Sequence, residues 1–140
     1  MNVLGIGTEI IECLRIAKMI ERHGELFINR VYTSVEVRYC QMRKQTTQHY
    51  AGHWAAKEAI RKALGTEWQR GMGWHDIEVH YDEAGKPVVG LRGGARDIVV
   101  SRGVREILVS ISHCRSHAVA YAMALGPEKP ENELGGKAES

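Results

Sequence analysis

Residues 54–65 read Trp54-Ala55-Ala56-Lys57-Glu58-Ala59-Ile60-Arg61-Lys62-Ala63-Leu64-Gly65, and no other stretch limits the folding of this chain so tightly. Ala, Leu, Glu, Lys and Arg favour the helix, and Gly65 supplies a stop, which predicts a helix from about Thr47 to Leu64. Glu58 and Lys62 stand four residues apart, so they project from one face about one turn apart. Two readings of the pair are open. One is a surface ion pair worth about 0.3 kcal/mol. The other is a metal-holding carboxylate with a phosphate-holding lysine beside it. The second gains weight from another acid in an unusual setting, Gly5-Ile6-Gly7-Thr8-Glu9.

The rest of the chain divides around that helix. Val3 to Ile11 is apolar and broken by glycines, which predicts a buried strand. Leu14, Ile16, Ala17 and Ile20 recur on a helical period up to Arg22, and Gly24 follows. Leu26 to Val31 reads as a second short helix or turn. Thr33 and Glu36 have capping-box spacing, with a helix to about Met42 behind them. Residues 66–74 form a glycine-containing connector. Asp76 to Tyr81 alternates as a half-buried strand, 82–87 turns, and Val88 to Leu91 returns, making a hairpin. Ala95 to Arg102 predicts a helix ending at Gly103. Ile107 to Ser112 and His117 to Leu125 predict two further strands. The order argues an α+β fold, with a small mixed sheet, antiparallel hairpins and one long helix. Residues 1–125 are expected to form one domain, and the polar stretch 126–140 a flexible tail.

A chain of 140 residues that is 44% hydrophobic buries a core without staples. Its net charge of +2 says little, but the distribution is informative. Between Cys13 and Gln45, seven basic residues (Arg15, Lys18, Arg22, Arg30, Arg38, Arg43, Lys44) face three acids, an excess of four. That suits an acidic partner or a phosphorylated ligand. No familiar nucleic-acid motif accompanies the charge, so no nucleic-acid partner is expected. Cys13, Cys40 and Cys114 are far apart and odd in number, which excludes a disulfide framework and fits reduced thiols. The opening residues are too short and too glycine-broken for a signal peptide, and no apolar run nears the ~20 residues of a membrane span. The expectation is a soluble, cytoplasmic protein without a membrane partner.

Glu9 interrupts an apolar segment. It is either a solvent-facing strand residue or the second acid of an oxygen-rich site of the kind that holds Mg²⁺ with water and substrate phosphate. Gly5 and Gly7 mark a bulge or a close backbone approach, and they make no dinucleotide fingerprint. His113, after Ser110-Ile111-Ser112, either caps a turn or donates to a ligand phosphate. His23, His49, His75, His80 and His117 read as surface or packing residues.

Five blocks now stand in order. They are Gly5-Ile6-Gly7-Thr8-Glu9-Ile10-Ile11-Glu12 with Arg15-Ile16; Phe27 to Thr33 with Glu36; Ala51-Gly52-His53-Trp54-Ala55-Ala56-Lys57-Glu58-Ala59 with Lys62 to Gly65; Asp76-Ile77-Glu78-Val79 with Gly85-Lys86-Pro87; and Ser110-Ile111-Ser112-His113. Together they resemble the holo-acyl-carrier-protein synthase family of phosphopantetheinyl transferases. The resemblance implies Mg²⁺-dependent transfer of 4′-phosphopantetheine from coenzyme A to a serine of an acyl carrier protein, releasing adenosine 3′,5′-bisphosphate. It implies a trimer with clefts between subunits. Metal contacts map to Glu9 and Glu58, and catalytic roles to Glu58 and Lys62. Glu58 is the candidate to take the serine proton, directly or through water. Coenzyme A contacts map to Lys44, His53, Lys62, Gly65 and His113. Arg15, Lys18 and Arg22 share a helix spacing that either is a solvated face or meets the acidic helix of the carrier protein.

The chain departs from the family pattern twice. Glu9 stands where the family has Asp, and the extra methylene moves the carboxylate by roughly 1.5 Å, about one bond length. That raises the expectation that Mn²⁺ serves beside Mg²⁺. His53-Trp54 stands where the family has Arg-Phe, which makes His53 a pH-dependent phosphate anchor. Two alternatives follow: a transferase for a polyketide-type carrier protein, and a coenzyme A or carrier-protein binding module without catalysis. Retention of Glu58, Lys62 and His113 counts against the second.

Overall fold

The computed structural model describes residues 1–68 and 72–128. Strand β1 (Asn2–Glu12) leads into helices α1 (Cys13–His23), α2 (Glu25–Val31), α3 (Ser34–Gln41) and the long α4 (Thr46–Leu64). After a 3-10 turn at Trp74–Asp76 come β2 (Ile77–Tyr81), β3 (Pro87–Leu91), α5 (Gly93–Ser101), β4 (Glu106–His113) and β5 (His117–Gly126). The elements follow the expected sequence, with the segment left open as helix or turn after Gly24 forming helix α2. The sheet is not mixed. Every pairing among the described residues is antiparallel, in a three-stranded sheet β1-β5-β4 and a separate β2-β3 hairpin. β5 turns back on β4 as a hairpin, and β1 runs against β5, so no strand needs a parallel crossover. β5 carries order to Gly126, and the remainder of the expected tail, from residue 129, lies outside the described residues.

The core is the contact between α4 and the three-stranded sheet. Ala118, Ala120, Ala122 and Ala124 alternate along the inner face of β5, and Ala55, Ala56, Ala59 and Ala63 answer from α4; all are buried. Small side chains on both layers let the helix lie close to the sheet. Gly5 and Gly7 carry this furthest. A Cβ on Gly5 would sit 2.0 Å from the Ala63 carbonyl oxygen, and one on Gly7 would sit 2.0 Å from that of Ala59. Of the two sequence readings for these glycines, close backbone approach is the one observed, with a register shift between Val3 and Gly5.

β1 was expected to be a buried strand, and only half of it is. Gly5, Gly7, Glu9 and Ile11 face inward, whereas Ile6 and Ile10 are 69% and 62% exposed. A strand sends alternate side chains to opposite faces, and the outer face of this sheet is uncovered in the single chain. Around the helices, the capping box at Thr33 forms as expected: the Glu36 amide donates to Thr33 Oγ1, and the Thr33 amide donates to Glu36 Oε1. Gly65 ends α4 in the left-handed conformation at φ 69°, the conformation that favours glycine.

Candidate active site

The inward rhythm of β1 places Glu9 against α4, just past the point where the glycines have brought the two backbones together. Lys62 Nζ lies 2.8 Å from Glu9 Oε1 and donates to the Thr8 carbonyl oxygen at 3.1 Å. The expected Glu58–Lys62 pair is therefore not the pair that forms. Glu58 binds Arg61, one residue nearer: Arg61 Nε donates to Oε1 at 3.3 Å and Nη2 to Oε2 at 3.0 Å. The Trp68 indole N–H also donates to Glu58 Oε1. Arg61 Nη1 donates to the Thr66 carbonyl at 2.8 Å and to Glu67 at 3.2 Å. The Glu58 hydrogen bond is the main cause that raises the Arg61 pKa; burial opposes it, and the charges of Glu58, Glu67 and Glu9 add to it. The result is one cluster of Glu9, Glu58, Arg61 and Lys62. Its outer member, Lys62, has a side chain 42% exposed, while that of Glu58 is 11% exposed. Arg61 and Trp68 escaped sequence reasoning. Only the i,i+3 spacing of Glu58 and Arg61 signalled the first.

A second group lies around a cavity of about 180 Å³ lined by Tyr39, His49, His53, Tyr81, Pro87 and His113, among others. His113 Nδ1 meets Gln48 Oε1 at 2.9 Å, and its ring stands edge-on to His49 at 4.7 Å. Burial, the neighbouring His113 and Arg43 lower the His49 pKa to about 4. His53 corrects the sequence reading. Its ring is 1% exposed, with Nδ1 on Glu36 Oε2 at 3.1 Å and Nε2 on the Tyr81 hydroxyl at 3.1 Å. Both nitrogens are engaged, so in this arrangement His53 offers no free donor to a phosphate. It belongs instead to a buried network around Glu36, which also accepts from Lys57 Nζ at 2.7 Å and from the Val79 amide at 3.3 Å. Lys57 completes its shell on the Val31 carbonyl at 2.6 Å.

The remaining candidates are dispersed. Lys44 lines a separate groove with Leu14, Gln48, Arg115 and His117. Gly65 serves as the helix stop, and a Cβ there would come 2.7 Å from Arg102 Nη1. Arg15, Lys18 and Arg22 are exposed on α1, and none forms an ion pair among the described residues. No hydrogen bond or ion pair among the described residues joins Lys44, His53 or His113 to the Glu58 cluster. No group of three or more His, Cys, Asp or Glu with metal-binding geometry occurs among the described residues. Glu9 and Glu58 are thus two carboxylates, a number that fits a cation whose other ligands are water and phosphate.

Comparisons with known proteins identify the family of the chain. The family model of the 4′-phosphopantetheinyl transferase superfamily matches residues 5–122. The holo-[acyl-carrier-protein] synthase of Rhodopirellula baltica is 40% identical over 88% of this chain and 98% of its own length. The crystal structure of the Neisseria meningitidis holo-[acyl-carrier-protein] synthase superposes with a TM-score of 0.82 at 26% identity, over 89% of this chain and 99% of that one. A holo-(acyl-carrier-protein) synthase from Bacillus anthracis in complex with CoA (3′,5′-ADP) gives a TM-score of 0.74 at 33% identity, over 89% and 98%. With a match that spans both site clusters and all five strands, this chain belongs to the holo-acyl-carrier-protein synthase family of the 4′-phosphopantetheinyl transferase superfamily.

Proposed function

We propose that this chain transfers 4′-phosphopantetheine from coenzyme A to a serine of an apo-acyl carrier protein, with a divalent cation, Mg²⁺ or Mn²⁺, held by Glu9 and Glu58. The observation that carries the proposal is the Lys62–Glu9 ion pair between α4 and β1, with Glu58 one turn before Lys62 on the same helix, on a scaffold of this family. The bound cation supplies charge neutralisation at the diphosphate. The chain's own residues do the rest. Lys62, the exposed cation of the cluster, turns from Glu9 to a phosphate oxygen and stabilises charge developing there. The serine oxygen forms a bond to the phosphorus that bears the pantetheine arm. The bond from that phosphorus to the bridging oxygen breaks, and the electron pair leaves with adenosine 3′,5′-bisphosphate. The serine proton passes to water in the cleft, and the open direction on Glu58 Oε2 is left for the cation. Positioning and electrostatics dominate such a transfer.

Lys44, His113 and the backbone at Gly65 are assigned to coenzyme A. Among the described residues of one chain, Lys44 and His113 have no hydrogen bond or ion pair to the Glu58 cluster, which supports a site assembled between copies. The sheet's outer face supports the same reading. Ile6, Ile10, Leu108, Tyr121 and Met123 are exposed there on one sheet, and clustered exposed apolar side chains of this kind mark interaction surfaces. The assembly proposed is a homotrimer. Arg15, Lys18 and Arg22 on α1 face the acidic carrier protein. Three free thiols support a cytoplasmic setting, and no helix among the described residues is long and apolar enough to cross a membrane.

Mass spectrometry tests the activity. Apo-carrier protein incubated with coenzyme A and Mg²⁺ gains one phosphopantetheine mass, and a chelator prevents the gain. A folded, trimeric preparation that leaves the carrier unmodified overturns the proposal. Glu9→Ala raises the metal concentration needed for half-maximal rate, and Glu9→Asp retains activity. If Glu9→Ala matches the parent with both metals, Glu9 is a strand residue only.

A further inference from the structure

The shell around Glu58 leaves that carboxylate little freedom. An ionised carboxylate has about four lone-pair directions, two on each oxygen. Oε1 accepts from Arg61 Nε and from the Trp68 indole, so both of its directions are taken. Among the described residues Oε2 accepts only from Arg61 Nη2 at 3.0 Å, which leaves one direction open among them. The donors are themselves fixed. Arg61 is tied to the Thr66 carbonyl and to Glu67. The Trp68 ring stacks on Trp74 at 4.0 Å with 20° between planes, and Trp74 in turn lies 6.0 Å from Trp54. The indole N–H is a donor only, and here it is directed at Oε1.

From this geometry we infer that Arg61 and Trp68 are positioning residues that confine Glu58 to one-oxygen ligation through Oε2, and so select a small divalent cation over a large one. The inference rests on the metal-dependent transferase reading above. Its physical basis is the difference between ions. Mg²⁺ takes six ligands near ~2.1 Å with single carboxylate oxygens, whereas Ca²⁺ accepts two-oxygen carboxylates at ~2.3–2.6 Å in larger shells. With Oε1 occupied, Glu58 cannot close both oxygens on one ion.

Trp68→Phe removes the N–H and keeps a ring to stack on Trp74. Mn²⁺ bound in the presence of coenzyme A is followed by electron paramagnetic resonance and displaced with Mg²⁺ or Ca²⁺. The expected result is Mg²⁺ displacement weakened about 10-fold, the low end for a group supporting a metal ligand, with Ca²⁺ displacement unchanged or improved. Trp74→Phe, which does not touch Glu58, keeps the parental Mg²⁺/Ca²⁺ ratio. Arg61→Lys loses the two-pronged grip but keeps the charge; it lowers the ratio too, and decides the matter should Trp68→Phe fail to fold. A parental ratio in the folded variants, or equal weakening of both ions, overturns the inference alone. If Glu58→Gln leaves Mn²⁺ binding at the parental level, the metal reading falls and the inference with it.

Discussion

Lys57 and Glu58 are neighbours in sequence and meet opposite surroundings. Lys57 points into the interior, fully buried, where Val31 and Glu36 use its ammonium group. Glu36, also fully buried, is shared among the Thr33 amide, Lys57, His53 and the Val79 amide. Glu58 points to a rim where, among the described residues, three donors leave one direction vacant and the next charges, Glu9 and Lys62, are partly exposed. The two clusters hold similar groups. The difference is closure. A buried carboxylate with every lone pair used supports a fold, and one with a lone pair left over is available to a ligand.

That contrast can be broken from either side. Lys57→Met has the largest effect. It strands the Glu36 charge in the interior, and loss of one partner of a buried pair costs about 3–5 kcal/mol. Urea unfolding should show it, and adding Glu36→Gln should recover part of the loss. A Lys57→Met protein as stable as the parent would mean that the network contributes nothing. Glu58→Gln comes next, with the effect reversed in kind. Transfer falls on the order of 10²-fold or more, because an interaction specific to the transition state is removed, while the unfolding midpoint hardly moves. Near-normal turnover by the folded variant would sink its catalytic role.

Acid sharpens the same comparison with the smallest effects. Burial pushes the Glu36 pKa up, but the His53 hydrogen bond and the Lys57 charge outweigh it and hold the group below its ordinary value. Its contribution to stability is complete above its unfolded value, about 4.3, and is lost as pH falls below that. His49, lowered to about 4, behaves differently in range. The unfolded chain takes its proton near ~6.5 and the folded chain does not, so stability declines as pH falls from there towards 4. Urea midpoints at pH 7, 5 and 3.5 separate the two ranges, and the His49 imidazole resonance should titrate near 4. A midpoint near that of a free imidazole would refute the burial of His49 and its crowding by His113.

Local chemistry made most of the elements legible. The capping box at Thr33, the stop at Gly65 and the alternation of β2 are each written within a few residues, and each forms. Long-range partnerships were not legible. Glu36 reads as a capping residue and nothing more, because Lys57, His53 and Val79 lie 21, 17 and 43 residues away. The resemblance set His53 at a ligand, and local spacing could not show that Glu36 and Tyr81 would claim both its nitrogens. Lys62 and Arg61 both lie within reach of Glu58 on one helix face. Which of them pairs with it was decided by β1, which brings Glu9 beneath Lys62. The apolar outer face of the sheet was hidden for a related reason, since a glycine-broken apolar run does not say which side is covered.

The seam between β1 and α4 has one more consequence. At Gly5 and Gly7 the spacing of strand and helix is set by main-chain atoms in contact, with no side chain between them. Exchanging one core side chain for another elsewhere alters volume and shifts neighbouring layers by fractions of an ångström, but it has no lever on this joint. The separation of Glu9 from Glu58 is therefore insulated from drift in the surrounding composition. Only a residue with a Cβ at Gly5 or Gly7 would reset it, and it would reset both carboxylates together.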